Sequence, residues 1–76
     1  MTMTRVWKNN MAEFICNLKR YRLLKDLTQE QLANLVGARR ETIMRLEKAQ
    51  YNPSLKLAVD ISRVVEAPIE AIFVFD

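Results

Sequence analysis

A run of long polar side chains in the middle of the chain is the part of the sequence best suited to chemistry. The outer face of a helix, predicted from residue 39 or 40 to about residue 48, carries Arg40, Glu41, Met44 and Arg45. A guanidinium can donate two hydrogen bonds to guanine, and a carboxylate can accept one from cytosine. This face therefore has the groups needed for hydrogen bonds with the edges of base pairs.

The residues on which most enzymes depend are scarce in this sequence. The chain of 76 residues has no histidine, and its single cysteine, Cys16, has neither a base partner nor a second thiol for a disulfide. It also lacks a glycine-rich phosphate loop and an obvious pair of carboxylates in a cleft. The sequence therefore predicts a protein that is not an enzyme, with no catalytic residue, no metal site and no cofactor.

Composition indicates a small folded domain that needs additional buried surface. Half of the residues are hydrophobic, with one glycine and two prolines, which predicts a mostly helical protein. The net charge of +3 fits a nucleic-acid partner and equally an ordinary basic surface. No apolar run suits a membrane span or a secretory signal, so we expect a cytoplasmic protein without a membrane partner. A core this small supplies only about 3–5 kcal/mol, which favours oligomerisation.

Local signals predict five helices between two short strands. The apolar residues within residues 1–12 do not recur at the spacing of a helix or a strand, so this segment is predicted to form a tail. One domain is predicted to follow over residues 13–76. The segments 13–16 and 73–75 are short, apolar and bulky, as is typical of strands. Asn17 is expected to cap a first helix that continues to about Lys25.

Capping residues mark the other helix ends. Thr28 and Gln31 match a capping box at the start of the second helix, and Gly37, the only glycine, is placed to end it. Ser54 is expected to cap a fourth helix, and Pro68 suits the first position of a short fifth helix. The second and third helices, joined across Gly37, have the arrangement of a helix-turn-helix. Inward-facing apolar side chains would hold these two helices together, namely Leu32, Val36, Ile43 and Leu46.

Over about residues 18–73 the sequence resembles the lambda-repressor/Cro (XRE-type) family. The resemblance is carried by LTQEQLA at 27–33, VG at 36–37, RETI at 40–43, LE at 46–47 and YNPSL at 51–55. It implies an all-α, five-helix DNA-binding fold and a short stand-alone transcriptional regulator, expected to be a repressor. In this family the third helix is the recognition helix, and Arg39 stands where Ser or Thr often caps it. Asp26 and Ala49 stand where glycine is common, which makes a left-handed backbone there more costly.

The resemblance also assigns roles to individual residues. Base reading falls to the outer face of the third helix, that is to Arg40, Glu41, Met44 and Arg45. Contacts with the DNA backbone fall to Thr28, Gln29, Arg39, Lys48, Tyr51 and Asn52. Arg22 and Glu47 match an internal salt bridge that aligns the first helix with the recognition helix. Three alternatives stay open for Glu41: contact with cytosine, pairing with Arg45, or repulsion of mismatched sites.

The two ends of the domain predict a homodimer. Both ends are apolar, and we expect that they cannot both be buried beneath a few short helices. Paired as antiparallel strands, they would present one apolar face to a second copy. The expected anchors of this interface are Ile69, Ile72, Phe73 and Phe75. A two-fold axis there would place two recognition helices about 34 Å apart, on a palindromic operator in double-stranded DNA.

Two further functions fit the same sequence. The fold can serve mainly as a protein-interaction module, for example as the antitoxin of a toxin–antitoxin pair, which would add a protein partner to DNA. The controller of a restriction–modification operon differs only in the genes that it regulates.

Overall fold

The computed structural model describes residues 14–75, so the predicted tail over residues 1–12 lies outside the described residues. Within them, five helices lie between two short strands, which confirms the predicted all-α architecture with a terminal strand pair. In chain order, the elements are β1 (Phe14–Cys16), α1 (Leu18–Leu24), α2 (Gln29–Val36), α3 (Arg40–Glu47), α4 (Leu55–Val65), α5 (Ile69–Ile72) and β2 (Phe73–Phe75).

The ends of α2 follow from local chemistry. The Thr28 hydroxyl accepts a hydrogen bond from the Gln31 backbone N–H at 3.0 Å, and the Gln31 side chain accepts one from the Thr28 N–H at 2.8 Å. This reciprocal pair is the predicted capping box. Gly37 ends α2 with a φ of 71°, in the left-handed region that favours glycine. The capping box therefore specifies where α2 begins, and Gly37 specifies the turn between α2 and α3.

Within residues 14–75, three residues other than glycine also have left-handed backbone conformations. Asp26, Ala49 and Glu66 each have a φ of 57°. Asp26 and Ala49 are the two positions where the sequence predicts a costly left-handed backbone, and each follows the end of a helix. Because such a conformation costs a residue with a Cβ about 1–2 kcal/mol, the packing of the helices must maintain these turns.

Two predictions about helix starts are wrong in detail. Asn17 precedes α1, but its side chain does not cap that helix. Its amide Nδ2 instead donates to the Ala71 carbonyl at 3.1 Å, and its backbone N–H donates to the Ile72 carbonyl at 2.7 Å. With ψ near 17°, Asn17 lacks the extended backbone of a typical capping residue, and it links β1 to α5. Pro68 occupies the capping position of α5 rather than its first helical position.

The core receives side chains from every helix. The largest side chains that are completely buried are Leu18, Leu32, Ile43, Leu46, Ile61 and Ile72. The helix α2 packs against both α3 and α4, and α1 also contacts both. Burial of these side chains fixes the helix angles, since each contributes about 1.5–3 kcal/mol only while it stays out of water.

The two strands pair as predicted but distribute their side chains unequally. They run antiparallel with Phe14 opposite Phe75 and Ile15 opposite Val74. The Phe14 ring packs against Phe73 with its centroid 5.8 Å away, and both residues are buried. Ile15 and Val74, on the other face of the strand pair, stay exposed. Phe75 shares the face of Phe14 but lies at the end of β2 and is also exposed. Each strand thus has one buried phenylalanine and at least one exposed apolar side chain.

This distribution corrects the predicted dimer anchors. Ile72 and Phe73 are buried within one chain, because the strand pair folds them onto the helices, and they do not reach the surface. Ile69 is half-buried and Phe75 is 62% exposed, so these two remain available to a second chain.

Candidate nucleic-acid interface

The polar side chains of α3 are placed by its apolar ones. Ile43 and Leu46 are completely buried, which orients α3 on the domain. Arg40, Glu41 and Arg45 then lie on the solvent side and are exposed. Met44 is half-buried, so part of its surface packs on the domain and only the rest is available to a ligand.

A buried ion pair holds the end of α3. The Arg22 Nε donates to Glu47 Oε2 at 2.7 Å, and Arg22 Nη2 donates to Glu47 Oε1 at 3.2 Å. The two side chains are only 8% and 6% exposed. Arg22 Nη1 also donates to the Leu27 carbonyl at 2.8 Å. The pair therefore joins α1, the loop before α2 and the last residue of α3, and this planar two-bond geometry is characteristic of arginine.

Gln29 takes part in the same network, which the sequence did not predict. Its Nε2 donates to Glu47 Oε1 at 3.1 Å, from the first residue of α2. The sequence indicated a DNA-backbone contact for Gln29 but no bond to Glu47. An amide nitrogen carries two hydrogens, so one remains for another acceptor.

Four of the six residues predicted to contact the DNA backbone, Thr28, Gln29, Arg39 and Tyr51, line two depressions near α3. A shallow depression beside α3 is lined by Arg39, Glu41, Thr42, Arg45 and Tyr51. A second depression, next to the start of α2, is lined by Arg22, Thr28, Gln29, Glu30 and Arg40. Lys48 and Asn52 are exposed but line neither depression. Thr42 in the first depression and Glu30 in the second are lining residues that the sequence missed.

The cations of this surface have no carboxylate partners among the described residues. Ion pairs within residues 14–75 are formed by Arg22 with Glu47, Lys25 with Glu66 and Lys56 with Asp60. Glu41 and Arg45 line the same depression without an ion pair between them. The four exposed cations at or beside α3 are therefore available to an anion, namely Arg39, Arg40, Arg45 and Lys48.

Other chemistry has little support in the described part of the chain. No group of three or more potential metal ligands occurs within residues 14–75. Burial raises the pKa of the Cys16 thiol, which keeps the thiol protonated and weakens it as a nucleophile. None of the helices within this range is both long and apolar enough to cross a membrane.

A short helix, a glycine turn and a second helix with an exposed basic face define a helix-turn-helix. A family model described as helix-turn-helix matches residues 18–72. The chain therefore belongs to the helix-turn-helix family of XRE/Cro type, a class of DNA-binding transcriptional regulators that are not enzymes.

Relatives agree with this assignment. An HTH-type transcriptional regulator of Archaeoglobus fulgidus is 59% identical over 59 residues, which cover 78% of this chain and 83% of that protein. An HTH-type transcriptional regulator of Methanocaldococcus jannaschii is 49% identical over 59 residues, which cover 78% of this chain and 89% of that protein. The crystal structure of the restriction–modification controller protein C.AhdI from Aeromonas hydrophila is similar, with a TM-score of 0.64 and 30% identity. The match covers 70% of this chain and 80% of C.AhdI.

Proposed function

We propose that this protein is a transcriptional repressor that reads a specific operator with α3 in the major groove. The observation that supports this most is the contrast between the two sides of α3. Its inner side is fixed by buried Ile43 and Leu46 and by the Glu47 ion pair. Its outer side presents Arg40 and Arg45 without partners among the described residues. A rigid helix with free guanidinium groups suits guanine recognition, because a bidentate contact requires accurate placement.

The flanking residues would set the position of α3 on the duplex. Arg39, Lys48 and Tyr51 lie at the ends of α3 or just after it, where phosphates border the groove. Gln29 and Thr28, at the start of α2, would face phosphates on the other side of the helix. Arg40 lines the depression next to Thr28 and Gln29, so this side also carries a cation. Cations on both sides fit a groove bordered by two phosphate chains. Such a regulator would act in the cytoplasm, together with its DNA.

We further propose that the repressor binds as a homodimer. Ile15 and Val74 are opposite each other on the exposed face of the strand pair, and Phe75 adds exposed apolar surface at the end of β2; we call these three residues the strand patch. Ile69 provides partly buried apolar surface on the neighbouring helix α5, while Ile72 and Phe73 support the strands from beneath. A two-fold axis at the strand patch would present two copies of α3 to a palindrome, with half-sites about 34 Å apart.

Control of a restriction–modification operon is the second candidate, because C.AhdI is such a controller and shares the fold at 30% identity. Both candidates require the same DNA-reading surface and differ in the genes next to the operator.

Operator selection from random double-stranded DNA, followed by titration, tests the proposal. We expect Arg40→Ala and Arg45→Ala each to lose about 1–3 kcal/mol on the selected site and to relax preference at one base position. Arg63→Ala is the matched control, because Arg63 is an exposed arginine on α4. Wild-type affinity of both α3 variants, or an equal loss in the control, would show that α3 does not read bases.

A further inference from the structure

The outer face of α1 combines exposed leucines with two cations and has no part in the proposed DNA contact. Leu23 is 53% exposed and Leu24 is 70% exposed. Together with neighbouring residues they line a shallow groove where β1 meets α1, formed by Cys16, Asn17, Lys19, Arg20, Leu23 and Leu24. We call this the α1 groove. Exposed apolar surface beside charged groups is typical of interaction sites.

The α1 groove faces away from the residues assigned to DNA. Arg22 points from α1 towards Glu47 at the end of α3. At 100° per residue, Arg20 and Leu24 lie on nearly the opposite side of α1 from Arg22. The part of the groove formed by Arg20 and Leu24 therefore stays accessible when DNA occupies α3. Leu35 and Leu55 are comparably exposed, but neither lines this groove, and single exposed leucines are common on protein surfaces.

We propose that the α1 groove binds an acidic amphipathic helix of another protein. The helix α1 has no acidic residue, while Lys19 and Arg20 flank the two leucines. A complementary partner thus needs apolar side chains bordered by carboxylates. An amphipathic helix provides both, since residues at i, i+3, i+4 and i+7 share one face.

Charge argues against the occupants that this chain itself could supply. Two copies that met groove to groove would bring Lys19 and Arg20 of one copy against the same cations of the other. Residues 1–13 carry Arg5 and Lys8 against one acid, Glu13, so their net charge has the same sign as the groove. Nucleic acid would match the cations but leave the leucines uncovered. A membrane surface would gain little from two leucines on a helix of seven residues.

The test uses the full chain without DNA, labelled with nitrogen-15, and a synthetic helical peptide. The peptide has leucines on one face and glutamates beside them, and the control peptide has lysines in place of the glutamates. We expect the glutamate peptide to shift the amide signals of residues 16–24 and to bind about tenfold more tightly than the lysine peptide. Two exposed charge contacts, each worth a few-fold in affinity, give this ratio.

Matched variants locate the site. The double variant Lys19→Glu/Arg20→Glu is expected to reverse the preference between the two peptides. Leu24→Gln is expected to weaken binding about tenfold, whereas the control Leu35→Gln leaves it unchanged. These side chains are exposed, so melting curves of the variants should match the wild type.

Several results would overturn the proposal. Equal affinity for both peptides, or binding unaffected by Leu24→Gln, would exclude charge-matched docking in the α1 groove. A change in sedimentation of Leu24→Gln would identify a second copy as the occupant. Tighter peptide binding by Trp7→Ala would identify residues 1–13. Stronger signal shifts at residues 16–24 with anionic vesicles or single-stranded DNA than with the peptide would identify those ligands instead.

Discussion

Neutralising Glu47 is expected to cost more stability than any comparable change on the surface. In Glu47→Gln the side chain keeps its shape, but the Arg22 guanidinium loses its counter-charge while it stays buried. Breaking a buried ion pair costs about 3–5 kcal/mol. We expect the lower value, because the amide oxygen of the new side chain can still accept a hydrogen bond from Arg22. The domain predicted over residues 13–76 has a total stability of about 3–10 kcal/mol. The Tm should therefore fall by roughly 12–24 °C.

Glu66→Gln is the matched control for this experiment. Glu66 also accepts a hydrogen bond from a cation, Lys25, at 2.7 Å, but its side chain is 72% exposed. We expect little change in Tm, because solvent screens this pair. The hydrogen bond from Lys25 lowers the pKa of Glu66. The small contribution of this pair to stability is thus present above the unfolded-state pKa of Glu66 and is lost as pH falls through its folded-state pKa. The Tm values of wild type and Glu66→Gln should converge there.

Circular dichroism melts and urea titrations of both variants measure the difference. Operator affinity of Glu47→Gln, measured at a temperature where it is folded, should also fall, because Glu47 holds the end of α3. The reasoning is refuted when Glu47→Gln and Glu66→Gln melt within a few degrees of each other. That result would mean that the Arg22 guanidinium is well solvated in the absence of its partner.

Three further changes follow from the same structure. Ala49→Gly should raise the free energy of unfolding by about 0.5–1 kcal/mol in urea titrations, because it relieves a left-handed alanine; a loss would contradict this. Phe75→Asp should give folded monomers by sedimentation, whereas Phe73→Asp should not fold; a folded dimer of Phe75→Asp would exclude the strand patch. Gln29→Met should destabilise the fold by about 1–2 kcal/mol and show a coupling with Glu47→Gln in a double-mutant cycle; additive effects would mean that Gln29 acts independently.

The parts of the fold predicted correctly are those determined by neighbouring residues. The capping box of Thr28 and Gln31 spans a single turn, and Gly37 is required by its own φ angle. The left-handed backbone of Asp26 and Ala49 was predicted through the family resemblance, because glycine is common at both positions. The capping box and the Gly37 turn depend on a few consecutive residues, so their prediction does not require knowledge of the tertiary structure.

Contacts between distant residues were predicted less well. No local pattern indicates that Gln29 donates to Glu47, 18 residues later, or that Asn17 donates to Ala71, 54 residues later. The Arg22 and Glu47 pair was predicted only through the family resemblance. Phe73 and Phe75 share one face of β2, and they differ in burial because Phe73 lies next to α5 whereas Phe75 lies at the far end of the strand. A period of two cannot predict that difference, because it depends on how far along the strand the helices extend.

The pairing of Phe14 with Phe75 has a consequence for protein engineering. Opposite residues in an antiparallel pair lie only about 5 Å apart, so a short glycine-rich linker could join residue 75 directly to residue 14. A circular permutant with new ends in the loop before α4, around Asn52 and Pro53, should then retain the whole core. The same proximity means that a fluorescent or affinity tag placed next to either strand would emerge beside the strand patch. Labels for measuring association of two copies without DNA are therefore better attached to this loop than to either strand.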